Sequence, residues 1–244
     1  MPPRSARSSR LRRLMKQRTL LFIVLAMALN PCWAGKVGVK AEARLENAAD
    51  VLHEILDAPD KGIPKEVLES AKCIAVIPHQ IRAGFVVAAT RGKGVVTCRT
   101  ENGWSAPAFF TITGGGWGAQ IGLEGVDNVL MIMNRKGMDR LLSNKFQVGA
   151  DASAAAGPVG RHAAAGTDWK MDSEILSYSR AKGVFAGVSL DGALVRPDDD
   201  AMRAVYGRNV KTREVLWGQV PPPAAAETFL AAVRGAELQA KKQS

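Results

Sequence analysis

The residues that could do chemistry in this chain come as fragments of motifs. Tyr178 and Lys182 stand in the Tyr-x-x-x-Lys spacing with which short-chain dehydrogenases activate a phenol. That chemistry also needs a dinucleotide held on a glycine-rich turn after a first strand, and no such turn opens this sequence. Gly187-Val188-Ser189-Leu190-Asp191-Gly192 resembles the sharp turn that presents a nucleophilic serine but is one residue too long. Residues 114–118 are glycine-rich, yet lack the Lys-Ser/Thr that completes a phosphate loop. The histidines, His53, His79 and His162, are far apart and have no partner at metal-ligand spacing. Asp198-Asp199-Asp200 fits a helix cap more simply than a calcium site. No catalytic residue, metal or cofactor is expected, and the chain reads as a non-enzymatic binding protein.

Basic side chains at turns remain as candidates. Arg91 and Lys93 lie in Arg91-Gly92-Lys93-Gly94 between the β-branched runs 85–90 and 95–99, which reads as a hairpin tip. Lys72, His79 and Arg82 flank a first strand, Arg135 and Lys136 end a later one, and Arg161 follows Gly157-Pro158-Val159-Gly160. Gathered on one edge of a sheet, these tips would form a rim for anionic lipid, with Trp104 or Trp117 at the interface. Scattered, they would only solubilise. Cys73 and Cys98 are either two buried thiols or a candidate disulfide. In an oxidising compartment the bond would stabilise the fold by about 3 kcal/mol.

The elements that must position these residues read as α+β: a curved antiparallel, barrel-like sheet with flanking helices. Leu45, Ala48, Ala49, Leu52, Ile55 and Leu56 recur at helical spacing, opposite Arg44, Glu46, Asn47, Asp50 and Glu54. Pro59 to Gly62 breaks that helix and Pro64 opens a second, so N-terminal helices cover about 41–70. Strands follow at 73–77, ended by Pro78, and at 85–90, 95–99 and 108–113. The glycines at 114–116 should interrupt or bend the chain before 117–122 and 126–133 resume it. A short helix is expected over 137–143, strands over 146–148, 175–180 and 184–195, and a helix over 201–206. Pro221-Pro222-Pro223 reads as a stiff linker to a helix over 224–239 with Phe229, Leu230, Val233 and Leu238 on its apolar side.

The N-terminus carries a different signal. Residues 1–18 hold seven basic side chains and no acid, an apolar run spans 20–29, and Pro31-Cys32-Trp33-Ala34 precedes Gly35. This is the order of a secretory signal peptide, and the apolar run is about half of the ~20 residues a spanning helix needs. Either Met1 or Met15 serves as its start. Cleavage is expected after Ala34; Cys32 makes a poor lipid-anchor site because Asn30 and Pro31 precede it. The expected organisation is a signal peptide over 1–34, a binding domain over 35–220, and a linker with its helix over 221–244. The chain has 33 basic and 23 acidic residues, net +10, but removing seven basic residues with the signal leaves 210 residues at +3. Nucleic acid is therefore not an expected partner. The expected location is periplasmic or secreted.

Several of these stretches together resemble the SYLF domain family. They are AKCIAVIP (71–78), the hairpin region 84–94, WSAPAFFTITGGGWGAQIG (104–122), residues 129–134, FQVGADASAAAGPVGR (146–161) and ILSYSRAKGVFAGVSLDGALVRP (175–197). The resemblance runs from about residue 40 to about 208. It implies a lipid-binding module: eukaryotic members bind phosphoinositides and some bind actin, while exported bacterial members look like envelope proteins. It brings no catalytic residues. The resulting expectation is an exported, non-enzymatic lipid-binding protein of the cell envelope. It would meet anionic lipid or a membrane surface through Lys72, Arg82, Arg91, Lys93, Arg135, Lys136 and Arg161. The alternative is a structural or protein-interaction module with an envelope protein partner.

Overall fold

In the computed structural model the described residues are 31–57, 62–84, 87–117, 122–143, 145–158, 173–181, 184–185, 190 and 192–242. The first helix, α1 (Pro31–Leu56), begins earlier than its periodicity indicates. It buries Ala41, Leu45, Ala48, Ala49, Leu52 and Ile55, positions three or four apart that share one face of a helix. Arg44, read as part of the solvent face, is buried with them. The cleavage point expected after Ala34 falls within α1, and residues 1–30 lie outside the described residues. Among the described residues no helix is long and apolar enough to cross a membrane. Helix α2 (Lys65–Ser70) follows, with Pro64 at its N-cap.

The strands are β1 (Cys73–Gly84), β2 (Val87–Thr100), β3 (Gly103–Trp104), β4 (Ala108–Trp117), β5 (Gly122–Ile132), β6 (Phe146–Gln147), β7 (Ala154–Ala156), β8 (Ile175–Ala181), β9 (Val184–Phe185) and β10 (Leu194–Pro197). They run in the order β6-β10-β4-β2-β1-β5-β8-β7, with β3 on β2 and β9 on β8. Pairing is antiparallel throughout except between β7 and β8. The sheet curls into a half-barrel with helices flanking it, the α+β architecture expected.

Several turns read from the sequence are strand instead. Arg91-Gly92-Lys93-Gly94 is not a hairpin tip. It lies within β2, where Arg91 pairs with Ile81 and Thr113, and Gly94 pairs with Phe110. The glycines are there for room. A Cβ on Gly92 would sit 2.7 Å from Ile77 Cγ2, and one on Gly94 would sit 2.4 Å from Phe110 Cζ and 2.8 Å from the Val76 carbonyl. Neighbouring side chains occupy the volume, so no other residue fits without a shift. β4 likewise runs unbroken through Gly114, Gly115 and Gly116, which pair with Thr90, Ala89 and Ala88. Nor does Pro78 end β1. A register shift between Ile77 and Gln80 absorbs it, His79 takes a positive φ of 50°, and its N–H is donated to Asp127 Oδ1 at 2.8 Å.

The remaining helices are α3 (Arg135–Leu141), α4 (Asp199–Tyr206), α5 (Thr212–Leu216) and, after a 3-10 turn (Ala224–Ala226), α6 (Glu227–Lys242). α6 buries Phe229, Leu230, Val233, Ala236 and Ala240, and packs on α1 and α2. Leu238, expected on that face, is 58% exposed. It lies five residues beyond Val233, about 140° around the helix. The triple proline therefore leads into a helix of the same core.

Candidate interaction surface

A buried ionic node sets the position of β2. The Asp198 carboxylate accepts from Arg44 Nη2 at 3.0 Å and from Lys93 Nζ at 3.1 Å. Its other oxygen caps α4 by accepting from Ala201 N–H, and its own N–H goes to the Phe109 carbonyl at 2.9 Å. The Arg44 guanidinium also lies over the Phe109 ring, 5.3 Å from its centre. Through its carboxylate and its backbone N–H, Asp198 thus ties α1, β2, β4 and α4 together. Burial by itself would raise the Asp198 carboxyl, but the Lys93 hydrogen bond and the Arg44 charge outweigh it and hold the group below its ordinary value. Burial lowers the Arg44 pKa, and Asp198 opposes that shift.

Beyond the node the outer face of the sheet carries exposed side chains. Cross-strand partners in register share a face. Lys93 pairs with Thr111 and Thr111 with Arg196; in the next row Ile81 pairs with Arg91, Arg91 with Thr113 and Thr113 with Leu194. Arg91, Lys93 and Arg196 are exposed, and so is Ile81. With strands about 4.8 Å apart, the Lys93 and Arg196 backbones are about 10 Å apart, with a threonine between. Lys93 is already paired with Asp198, so Arg91 and Arg196 are the cations of these two rows that an arriving anion would meet.

Lys72, Arg135 and Lys136, proposed from the sequence with Arg91 and Lys93, do not join this face. Seven residues of β2 separate Arg91 from Cys98, about 24 Å of strand. Cys98 pairs with Cys73, which also pairs with Ile132, so Lys72, Arg135 and Lys136 belong to that far end. Lys72 is exposed there, its N–H on the Ile132 carbonyl. Lys136 is paired with Glu174 at 2.6 Å, and the Arg135 guanidinium lies 6.0 Å from the Trp217 ring centre. Arg82 is in register with Thr90 and Glu124. Arg161 and His162 lie outside the described residues. Among the described residues the candidates are thus split between the two ends of β2 rather than gathered on one rim. The sequence reading missed Arg196, although the alternation of exposed Arg196 with buried Val195 carries its signal.

Other candidates have structural partners. The buried sulfurs of Cys73 and Cys98, cross-strand neighbours, are joined at 2.09 Å. Trp104 stacks under Arg99, 4.5 Å from guanidinium to ring centre, and its indole N–H is donated to Glu237 Oε2 at 3.1 Å. The side chain of Trp117 lies outside the described part of the chain. Tyr178 is buried in β8, while Lys182 and Ser189 are outside the described residues. Ser179 donates to Asn128 and Asn128 to Gln80, a buried row lacing β8, β5 and β1. Among the described residues no group of three or more His, Cys, Asp or Glu side chains is placed to hold a metal ion.

Comparison with known proteins gives one consistent result. Residues 113–236 match the family model Ysc84, described as Las17-binding protein actin regulator. The chain is 33% identical over 196 residues to SH3 domain-containing YSC84-like protein 1 of Rattus norvegicus, covering 78% of this chain and 57% of the rat protein. It is 37% identical over 176 residues to Protein YSC84 of Saccharomyces cerevisiae, covering 70% of this chain and 37% of the yeast one. LAS seventeen-binding protein 3 of the same yeast is 35% identical over 173 residues, covering 69% and 37%. The chain thus spans a little over half of the rat relative and little more than a third of the yeast ones. On the family-model match and these identities, the chain belongs to the Ysc84, or SYLF-domain, family.

Proposed function

We propose that this domain is a non-enzymatic protein-interaction module that takes an acidic partner surface on the outer face of β2, β4 and β10. The Lys93–Thr111–Arg196 row beside Arg91 carries this reading. Guanidinium groups fork onto carboxylates bidentately, so Arg91 and Arg196 can each grip an acidic side chain of the partner. The Asp198 node beneath gives the patch a stiff base. The family description names actin regulators, and one yeast relative is named for binding another protein, which supports the class of function. Actin filaments, an acidic surface, are therefore the first partner to test. Wild-type protein should co-sediment with them at low salt and release as salt rises. The double substitution Arg91→Glu/Arg196→Glu should weaken co-sedimentation by about tenfold or more. Pelleting that ignores both salt and the substitutions would count against the reading.

A second reading, contact with anionic lipid, is favoured by Ile81. This apolar side chain is 53% exposed and stands in register with Arg91, a pairing suited to a membrane surface. Ile81→Ser should then reduce binding to phosphatidylglycerol vesicles and leave filament binding unchanged. Equal vesicle binding by both proteins would remove lipid from consideration at this face. Export through residues 1–34 is proposed alongside on their composition. The mass of the mature protein tests it, and a mature chain that retains residues 1–34 would overturn it.

A further inference from the structure

At the far end of β2 from the basic face lies an open groove of about 660 Å³. One wall is the turn after β2, with Thr100, Glu101 and Trp104; the other is the end of α5 and the proline segment, with Trp217, Pro221 and Pro222. Trp217 is 42% exposed, unusual for the largest apolar side chain, and among the described residues few other large hydrophobics are exposed. Trp104 is held rigid by Arg99 on its face and Glu237 on its nitrogen. Among the described residues no acceptor stands on the Trp217 indole N–H. Gly218 fixes the approach of this wall: its φ is +75°, and a Cβ there would lie 3.0 Å from Thr100 Cγ2.

We propose that this groove docks an extended, proline-rich segment of another protein that bears an acidic residue beside its prolines. A polyproline II strand forms no internal hydrogen bonds, so its carbonyls need outside donors. Its ring faces pack on aromatic side chains with little loss of conformational entropy. The groove offers both: two indoles and a rigid proline wall for the rings, and the Trp217 indole N–H for a carbonyl. Charge sets the acidic requirement. Arg135 lies against the Trp217 ring, and exposed Arg213 sits one helical turn before it, its carbonyl accepting the Trp217 backbone N–H at 3.0 Å. The exposed carboxylate Glu101 is on the opposite rim. An acid on the ligand is therefore favoured at the Trp217 end. This site is separate from the basic sheet face and goes beyond the function proposed for it.

The test titrates the full chain, followed by tryptophan fluorescence, with a synthetic peptide of about a dozen residues, proline-rich and flanked by glutamates. A control peptide of equal length and charge has alanine in place of proline, and phosphatidylglycerol vesicles form a third arm. The proline peptide should bind and the alanine peptide should bind at least about tenfold more weakly. Trp217→Ala should cost about tenfold or more, and Arg135→Gln about threefold, with an unchanged thermal melt showing that both variants fold. Arg91→Glu/Arg196→Glu should leave peptide binding intact, so the two sites fail or succeed separately. Equal binding of the two peptides, binding unchanged by Trp217→Ala, or a fluorescence response to vesicles and not to the proline peptide would each overturn the proposal.

Discussion

At Asp198 one carboxylate serves two cations and a helix end, so its loss has a specific cost. Arg44 would keep its buried charge without a partner. Asp198→Ala should therefore destabilise by about 3–5 kcal/mol in urea unfolding, whereas Lys93→Met, removing a half-exposed partner, should cost at most about 1 kcal/mol. Acid should act through two carboxyls. Glu237 is held down to about 2 from an ordinary 4.5 by the Arg99 hydrogen bond first, with Trp104 and Lys241 adding to it against some burial. A carboxyl depressed in the folded state contributes stability above its unfolded value and loses it as pH falls through the folded one. Stability should thus decline below about pH 4.5 towards pH 2. Glu237→Gln should flatten part of that decline in thermal melts; an unaltered acid limb would show that this pair does not govern it. Asp198 was legible as a cap because three acids preceded a helical pattern. Arg44 was not, though its spacing from Ala41 and Ala48 put it on the buried face: charge type outweighed periodicity in the reading, and its partner lies 154 residues away.

At the scale of elements, the strands are where spacing misled. Two glycines within four residues read as a turn, yet in β2 they make room for Ile77 and Phe110. Gly94→Ala tests the difference. At a strand position facing Phe110 and the Val76 carbonyl it should cost about 1–3 kcal/mol by overpacking. At a hairpin tip the added Cβ would meet nothing, and a shift near zero in urea unfolding would favour that placement. Four residues further along β2, the Cys73–Cys98 bond closes a loop of sequence separation 25. Reduction should lower stability by about 3 kcal/mol. Both sulfurs are buried, so reductant should act during unfolding, and melts with and without dithiothreitol should separate. Coincident melts would mean that the bond is absent or neutral. α1 was legible because its apolar period persists for four turns; α5, with five residues, is too short to show one.

At the scale of the whole molecule, local pattern gave the alternation along each strand but not the neighbours across it. β10 lies beside β4 after a return over residues 118–193, and that pairing brings Arg196 near Lys93, while the pairing of β5 with β1 puts Arg135 at the other end. The same distance effect decides where the domain ends. The triple proline marks a boundary in the sequence, but α6 places Phe229, Leu230 and Val233 in the core and sends Glu237 to Arg99 and Trp104 on the sheet. Fully burying each of the three apolar side chains contributes about 1.5–3 kcal/mol, which together reaches the ~5–15 kcal/mol net stability of a typical domain. A chain lacking residues 221–244 should therefore lose its cooperative melt and bind a hydrophobic dye, even if far-ultraviolet dichroism persists. Phe229→Ala, a milder form of the same change, should cost about 3–5 kcal/mol in urea unfolding. If the shortened chain instead melts cooperatively within a few degrees of the full one, α6 is an appendage and the core closes without it. In that case the groove between Trp104 and Trp217 would still lose its Pro221–Pro222 wall and the Glu237 anchor, and the proline peptide should bind the shortened chain more weakly.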